Sequence, residues 1–576
     1  MFKLFKRYVR YYKLETIFAP IFKMFEAVFA LLVPLVVKKI IDVGINGDGG
    51  TDYIVNQGLI LLGLAVVGFC MTMVCQVLAV RTSSGYGYRV RNDMFRHISL
   101  FSLKEMNEFT SSSLETRLSA DVIITQKGLT LLLRLAIRAP FLVVGAIILS
   151  FFLAPSYGWI FIVTGFLLGL VIFLVSKFSL PYSVKLQKGL DKVSSLSQDD
   201  LSGMRAIRAF NKEEEEKNKV FAANRELERI SNSLAKVSSF LSPLNSFIVN
   251  AGIVVILFFG AKEISLPNGI SQGDVVALVN YMNQIAAAIL VIANLVVAFT
   301  KSSVSSKRIL QVLDKEPYLK SGEKEPVSSL VAVEFKKVTF NYNSSSSPAL
   351  ENISFKVKGG ETIGIIGGTG SGKTTLADLI DRFYDPTDGE VLINGVDVRE
   401  WNIPYLRNRI GYVNQRSVLF SGDLESNVKM GNIGASDEDI DAALKVAQAK
   451  DIVRSRSKGL KAQVVQGGKN FSGGQKQRIS IARALAKKPQ ILILDDSSSA
   501  LDFKTDYELR KSIKKMEGKM TVFIISQRIS SIASADRIMV LDKGKMVGFG
   551  KKNELYSSCQ VFKEIADSQL EKVNGR

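Results

Sequence analysis

Six apolar segments fall within the first 300 residues of a 576-residue chain, and no other feature restricts the fold as much. They run approximately over 15–38, 54–80, 129–153, 158–178, 237–261 and 275–299. Each reaches the ~20 residues that a membrane-spanning helix needs. Most lack the polar face that a water-soluble core helix keeps along its length. Residues 1–300 therefore read as a six-helix α-helical transmembrane domain in a lipid bilayer. The length calls for at least one further domain.

The joins set the orientation. Those around 39–53, 154–157 and 262–274 are short, whereas 81–128 and 179–236 are long and rich in Lys and Arg. The long joins and the basic, aromatic start (Met1 to Lys13, an amphipathic surface helix) face the cytoplasm by the positive-inside rule. An even number of spans puts the C-terminal part there too, in the inner or plasma membrane of a cell. The formal charge of +20 is explained by basic residues flanking apolar spans, so no nucleic-acid partner is expected. Cys70, Cys75 and Cys559 make no disulfide framework.

The long joins are helical in pattern and would extend the spans; twenty residues at ~1.5 Å each add about 30 Å. Two stretches, 115–121 and 203–210, could touch a nucleotide domain or could be solvated faces. Polar residues inside the spans include Glu26, Arg134, Arg138, Asn280, Asn283, Gln284 and Asn294. Cavity lining and interhelical hydrogen bonding both fit the last four. Arg134 and Arg138 sit where a snorkel to the lipid surface is expected.

Residues 301–329 are polar and read as a helical exit and linker. From 330 to 576, short β-branched strands mix with helices, the pattern of an α/β fold. A strand, 362–366, runs into Gly367-Gly368-Thr369-Gly370-Ser371-Gly372-Lys373-Thr374, followed by Thr375 and a helix. This is G-x-x-x-x-G-K-[ST] in its required strand–loop–helix setting. Its backbone N–H groups cradle phosphates, Lys373 reaches the outer ones, and Thr374 binds Mg2+. Asp495, closing the apolar strand 491–494, is a second partner for the ion. Tyr342 could stack on adenine. Phe471-Ser472-Gly473-Gly474-Gln475 also opens a helix and offers a second anion cradle. One nucleotide does not need two cradles in one domain, so this loop reads as serving a nucleotide held by another.

On these motifs the chain resembles, over nearly its whole length, an ATP-binding cassette (ABC) exporter half-transporter of the multidrug type. The resemblance makes Gly367 to Thr375 Walker A, Gln415 the Q-loop glutamine and a further metal contact, and Phe471 to Gln475 the signature. It makes 491–495 Walker B, and Ser499, Ala500, Leu501 and Asp502 the D-loop. It implies an ATP-hydrolysing translocase in which two nucleotide domains sandwich two ATPs head to tail. It also places coupling helices at 115–121 and 203–210.

Three positions depart from the family pattern. Asp496 stands where the catalytic glutamate belongs, Gln527 where the switch histidine belongs, and Gln466 replaces the glutamate before the signature. The only histidine is His97, in the membrane half. An aspartate carboxylate sits about 1.5 Å short of its target, and a misplacement of about 1 Å can cost 10²-fold. Gln527 carries neither a proton nor a charge at neutral pH. The pair is similar to the degenerate-site subunit of heterodimeric bacterial ABC transporters. The resemblance thus implies a second half-transporter with intact glutamate and histidine, ATP and Mg2+ as cofactors, and a small amphipathic cargo such as a drug or lipid. A slow homodimeric exporter and an ATP-gated regulatory membrane protein are the alternatives.

Overall fold

The computed structural model describes all residues except 1, 265–268, 327–330, 343–346, 498–499, 517–519 and 575–576. Two compact units result. Met1–Ser99 and Ser112–Lys315 form one; Leu100–Ser111 and Glu316–Arg576 form the other.

Among the described residues, the regular structure of the first unit is helical throughout. Among the described residues, five helices are long and apolar enough to cross a membrane: Gly50–Ile98, Ser111–Leu153, Pro155–Ala209, Glu213–Ile264 and Gln272–Leu313. They contain five of the six expected spans. The expected span 15–38 lies on the 27-residue helix Lys13–Lys39, which is not among the five. It carries two charges at mid-length. Glu26 accepts from Arg138 Nε (2.8 Å) and Nη2 (3.1 Å) and lies 3.2 Å from Lys23. Arg138 is thus tied to another helix instead of snorkelling, because a paired cation costs less at depth than a bare one. The third span breaks at the same level. Val122–Leu135 ends, and Arg138–Leu153 begins anew. Pro140, one turn on, has no N–H for the Ala136 carbonyl.

The last long helix starts at a capping box. Ser271 Oγ accepts from Asp274 N (3.0 Å), and the Asp274 carboxylate accepts from Ser271 N (3.0 Å). The helix meets no breaker before Pro317 and so continues to Leu313, through 301–313 where the exit and linker were expected. Along it, Gln284 Nε2 donates to Ala30 O (3.1 Å), an interhelical bond. Asn280 and Asn283 donate to carbonyls of their own helix. Together with Asn294 they lie on an exposed face.

The nucleotide unit is α/β. Its larger sheet has six strands in the order Lys545–Gly550, Arg537–Asp542, Thr362–Gly367, Thr521–Ile525, Ile491–Asp495, Ile410–Val413. All neighbours are parallel except the outermost pair, Arg537–Asp542 with Lys545–Gly550. Thr521–Ile525 and Ile491–Asp495 are wholly buried, as parallel strands covered on both faces must be. A second, antiparallel sheet pairs Val333–Phe340 with Leu350–Val357 and Asp388–Ile393. Described linker residues are stitched onto this unit: Gly322 N and Lys324 N donate to Trp401 O and Glu400 O, both at 2.9 Å.

Candidate nucleotide site

The central strand Thr362–Gly367 delivers the phosphate loop at its C-terminal end, where ligands of open α/β sheets bind. The loop turns through Gly370 (φ 78°) and Gly372 (φ 95°), left-handed positions that favour glycine. A Cβ on Gly372 would lie 2.7 Å from Ala349 O. Lys373, at the start of the helix Lys373–Ile380, folds back over the loop. Its Nζ donates to Gly367 O (2.9 Å), Gly368 O (2.6 Å) and Ser371 Oγ (3.3 Å). Burial pushes this amine down from its ordinary pKa, against the pull of Asp495 and Asp496. A half-buried cation satisfied only by neutral oxygens fits a polyphosphate.

Thr374 Oγ1 donates to Asp495 Oδ2 at 2.9 Å. Burial raises the Asp495 pKa, and the Thr374 bond opposes the rise. The hydroxyl, this carboxylate and the Gln415 amide are hard oxygen donors of the kind magnesium takes, so these residues would hold the ion. Gln415 Nε2 also reaches Asp496 Oδ2 at 3.4 Å. Asp496 has a left-handed backbone, φ 44°, which aspartate tolerates better than most residues. Burial raises its pKa, while Arg528, Gln415 and Lys373 pull it down. One cavity of about 310 Å³ gathers Tyr342, Thr369 to Thr375, Gln415, Asp495, Asp496 and Gln527. Tyr342 stands half-exposed at its rim, its hydroxyl 2.9 Å from Thr375 Oγ1.

The signature lies elsewhere. Ser472, Gly473, Gly474 and Gln475 line a separate pocket with Arg478, Ala500, Leu501 and Asp502. The cradle is closed on itself: Ser472 Oγ accepts from Gln475 N (3.3 Å), and Gln475 Oε1 from Ser472 N (3.1 Å). Phe471 is buried beneath it, with Arg456 over its ring at 4.6 Å. Asp502 caps the next helix through Thr505 N at 2.9 Å. Of the expected D-loop, Ser499 lies outside the described residues. Gln466 opens a short 3-10 turn before the signature and is not among the lining of either pocket.

Comparison with known proteins decides the family. Residues 16–289 match the ABC transporter transmembrane region, and 350–499 match the ABC transporter model. An ABC transporter ATP-binding protein of Mycobacterium tuberculosis, named as uncharacterised, is 33% identical over 98% of both chains. YfiB of Bacillus subtilis, similarly named, is 35% identical over 98% of both. The chain belongs to the ABC transporter family. It is a half-transporter, with membrane and ATP-binding parts fused in one polypeptide. The structure of a bacterial Atm1-family ABC exporter with ATP bound aligns with a TM-score of 0.83 at 22% identity, covering 96% of this chain and 99% of that one. That likeness shows the fold alone.

Three features of the half-transporter escaped the sequence reading. Gln477, 2% exposed, donates to Asp496 O (3.3 Å) and accepts from Ala500 N (3.3 Å), tying Asp496 to the loop at Ala500. The second is the helix Leu103–Phe109, which falls among the first 300 residues yet belongs to the nucleotide unit. Its Asn107 Nδ2 reaches Tyr384 OH (3.4 Å), and the Tyr384 ring meets Tyr342 edge-on at 5.3 Å. Glu105 Oε1 accepts from Tyr318 N at 2.6 Å. The stretch 115–121, expected to make this contact, lies in the membrane unit, where buried Asp121 accepts from Ser305 Oγ (2.7 Å). The stretch 203–210 ends a long helix of that unit with Phe210 exposed. Ser102-x-x-Glu105, a capping box, was the signal available for Leu103–Phe109. Third, the C-terminal helix reaches the Gln527 segment.

Proposed function

We propose that this chain is the hydrolysis-impaired half of an ATP-driven exporter that works as a heterodimer in the inner or plasma membrane. Its own site grips ATP with Tyr342, the Gly367 to Thr375 loop, Lys373, Thr374 and Asp495. Its signature, Ser472 to Gln475, completes the site of a second half-transporter. The observation that carries this reading is the separation of an altered site from an intact one. The nucleotide cavity contains Asp496 and Gln527 where a longer carboxylate and an imidazole would be expected, while the signature and D-loop pocket keeps its glycines and serine.

The chemistry follows from the side chains. Attack on the outer phosphate needs a carboxylate within hydrogen-bond reach of water. Asp496 is short, and its Oδ2 lies 3.4 Å from the Gln415 amide. Gln527 supplies no positive charge to the forming oxyanion. Magnesium, when bound, neutralises phosphate charge; Thr374 and Asp495 hold their side of that contact. ATP bound here therefore stabilises domain closure more than it is consumed.

Export is supported by relatives such as one from Rickettsia felis, named a putative export ATP-binding/permease protein, 30% identical over 98% of both chains. A polar pathway is supported by the exposed Asn280, Asn283 and Asn294 face on the last long helix, because amide side chains face water or protein more readily than lipid. A small amphipathic cargo suits such a mixed surface.

The test is paired mutation in the assembled transporter. Replacing the partner's catalytic glutamate with glutamine lowers ATPase activity by about 10²-fold or more, whereas Asp496→Asn changes it less than about threefold. Equal losses from both replacements sink the assignment in favour of two working sites.

A further inference from the structure

We propose that Gln569, on the last helix (Gln560–Asn574), is a positioning residue for this chain's nucleotide site. Its side-chain amide clasps the main chain on both sides of Arg528. Gln569 Nε2 donates to Gln527 O at 2.8 Å, and Ile529 N donates to Gln569 Oε1 at 2.9 Å. Both ends of the amide are used, and both partners are backbone. The clasp therefore sets where the segment lies, and Gln527, on that segment, lines the nucleotide cavity.

Local structure explains why an external clasp is needed. Residues 526–528 join the buried strand Thr521–Ile525 to the four-residue helix Ile529–Ile532. Arg528, at the N-cap position of that helix, makes no side-chain capping bond. Gln569 satisfies the Ile529 N–H, one of the first-turn donors that have no partner within the helix. The register of the last helix delivers it. Phe562 is wholly buried and Ala566 nearly so. Gln569 follows at seven residues from Phe562, on the same helix face.

The consequence is that the C-terminal helix governs how long nucleotide stays. With the clasp made, Gln527 is held at the cavity edge beside Asp496. With it broken, the segment 526–528 loses its fixed position and the outer-phosphate side of the cavity loosens. This rests on the reading that the Gln527 segment faces the outer phosphate of ATP bound by Lys373 and Thr374.

The experiment uses the full-length, assembled transporter with the partner's Walker lysine mutated, so that only this chain's site binds the fluorescent analogue mant-ATP with magnesium. Gln569→Leu removes both bonds. Gln569→Glu keeps the acceptor for Ile529 and sets a carboxylate against the Gln527 carbonyl. Both variants are expected to speed mant-ATP release by about tenfold, the upper scale for losing a pair of partly exposed hydrogen bonds, with melting temperatures near wild type. In a Gln527→Ala background the same replacements change release by less than about twofold, since the side chain being positioned is gone. Unchanged release in either variant, or a full tenfold effect that persists without the Gln527 side chain, overturns the proposal. Should the wild-type site cleave ATP briskly, the slow-site reading fails by itself. The Gln569 comparison is then read in phosphate release, with the same two outcomes.

Discussion

Two glycine-rich loops in the nucleotide unit each lead into a helix, yet they are finished differently. The Gly367 to Thr375 loop surrounds a lysine folded over its own carbonyls and opens onto two carboxylates and Tyr342. The Ser472 to Gln475 loop is closed by its own capping box and, among the described residues, faces Arg478, Ala500, Leu501 and Asp502. The first has charge to place against phosphate, an ion's ligands and a base platform. The second has a helix N-terminus, serine and small residues, and no means of gripping a nucleoside. On the proposed reading such loops are complementary halves of one site, and in a single chain they line different pockets. The contrast teaches that losses near the first loop need not impair the second.

The sharpest way to break that contrast is Gly474→Ala. A Cβ there would sit 2.8 Å from Ala500 O, pushing the signature away from the D-loop. Turnover by the assembled transporter should fall at least about tenfold, as misplacement by a fraction of an ångström allows. Equilibrium mant-ATP binding at this chain's own site should stay within about twofold.

Thr374→Val removes the hydroxyl that bonds Asp495 while preserving shape. ATP affinity measured with magnesium should drop about tenfold, whereas affinity measured in EDTA should change little. An equal drop in both conditions would show that Thr374 is only packing. Tyr342→Ala should weaken binding at the first loop by about five- to tenfold, the low end of base–aromatic stacking. Tyr342→Trp should restore it, and neither should alter partner-site turnover at saturating ATP.

The smallest effect concerns pH. Asp378, on the helix following the first loop, has its pKa pushed up to about 7 by burial, with Asp495 adding to the rise and the Tyr412 hydroxyl opposing it. The folded state thus keeps a proton that the unfolded chain, with the ordinary carboxylate value of 3.8, has released. Stability from this group is full below about pH 4 and is lost as pH rises to about 7. Asp378→Asn should flatten that decline in thermal unfolding. A variant declining as steeply as wild type would place the titration elsewhere.

The legibility of the chain follows the reach of its interactions. Five of the spans and the phosphate loop were readable because length, apolarity and strand–loop–helix order are local properties. Gln477 was missed because its bonds, to Asp496 and Ala500, cross from the signature helix to another loop. The contact of Asn107 with Tyr384 joins residues 277 positions apart, and no periodicity announces it. The helix Leu103–Phe109 was not singled out, because a polar helical face says nothing about which neighbour takes it. Asp121 turned out to be buried against Ser305. Arg138 looked like a snorkelling residue because its partner, Glu26, lies on a different span.

The most direct measurement is phosphate release by the purified full-length chain without a partner, in lipid nanodiscs with saturating magnesium-ATP. The account predicts stoichiometric ATP retention with release near the uncatalysed background, and release restored when an intact half-transporter is added. Sustained, rapid phosphate release by the chain alone would contradict it.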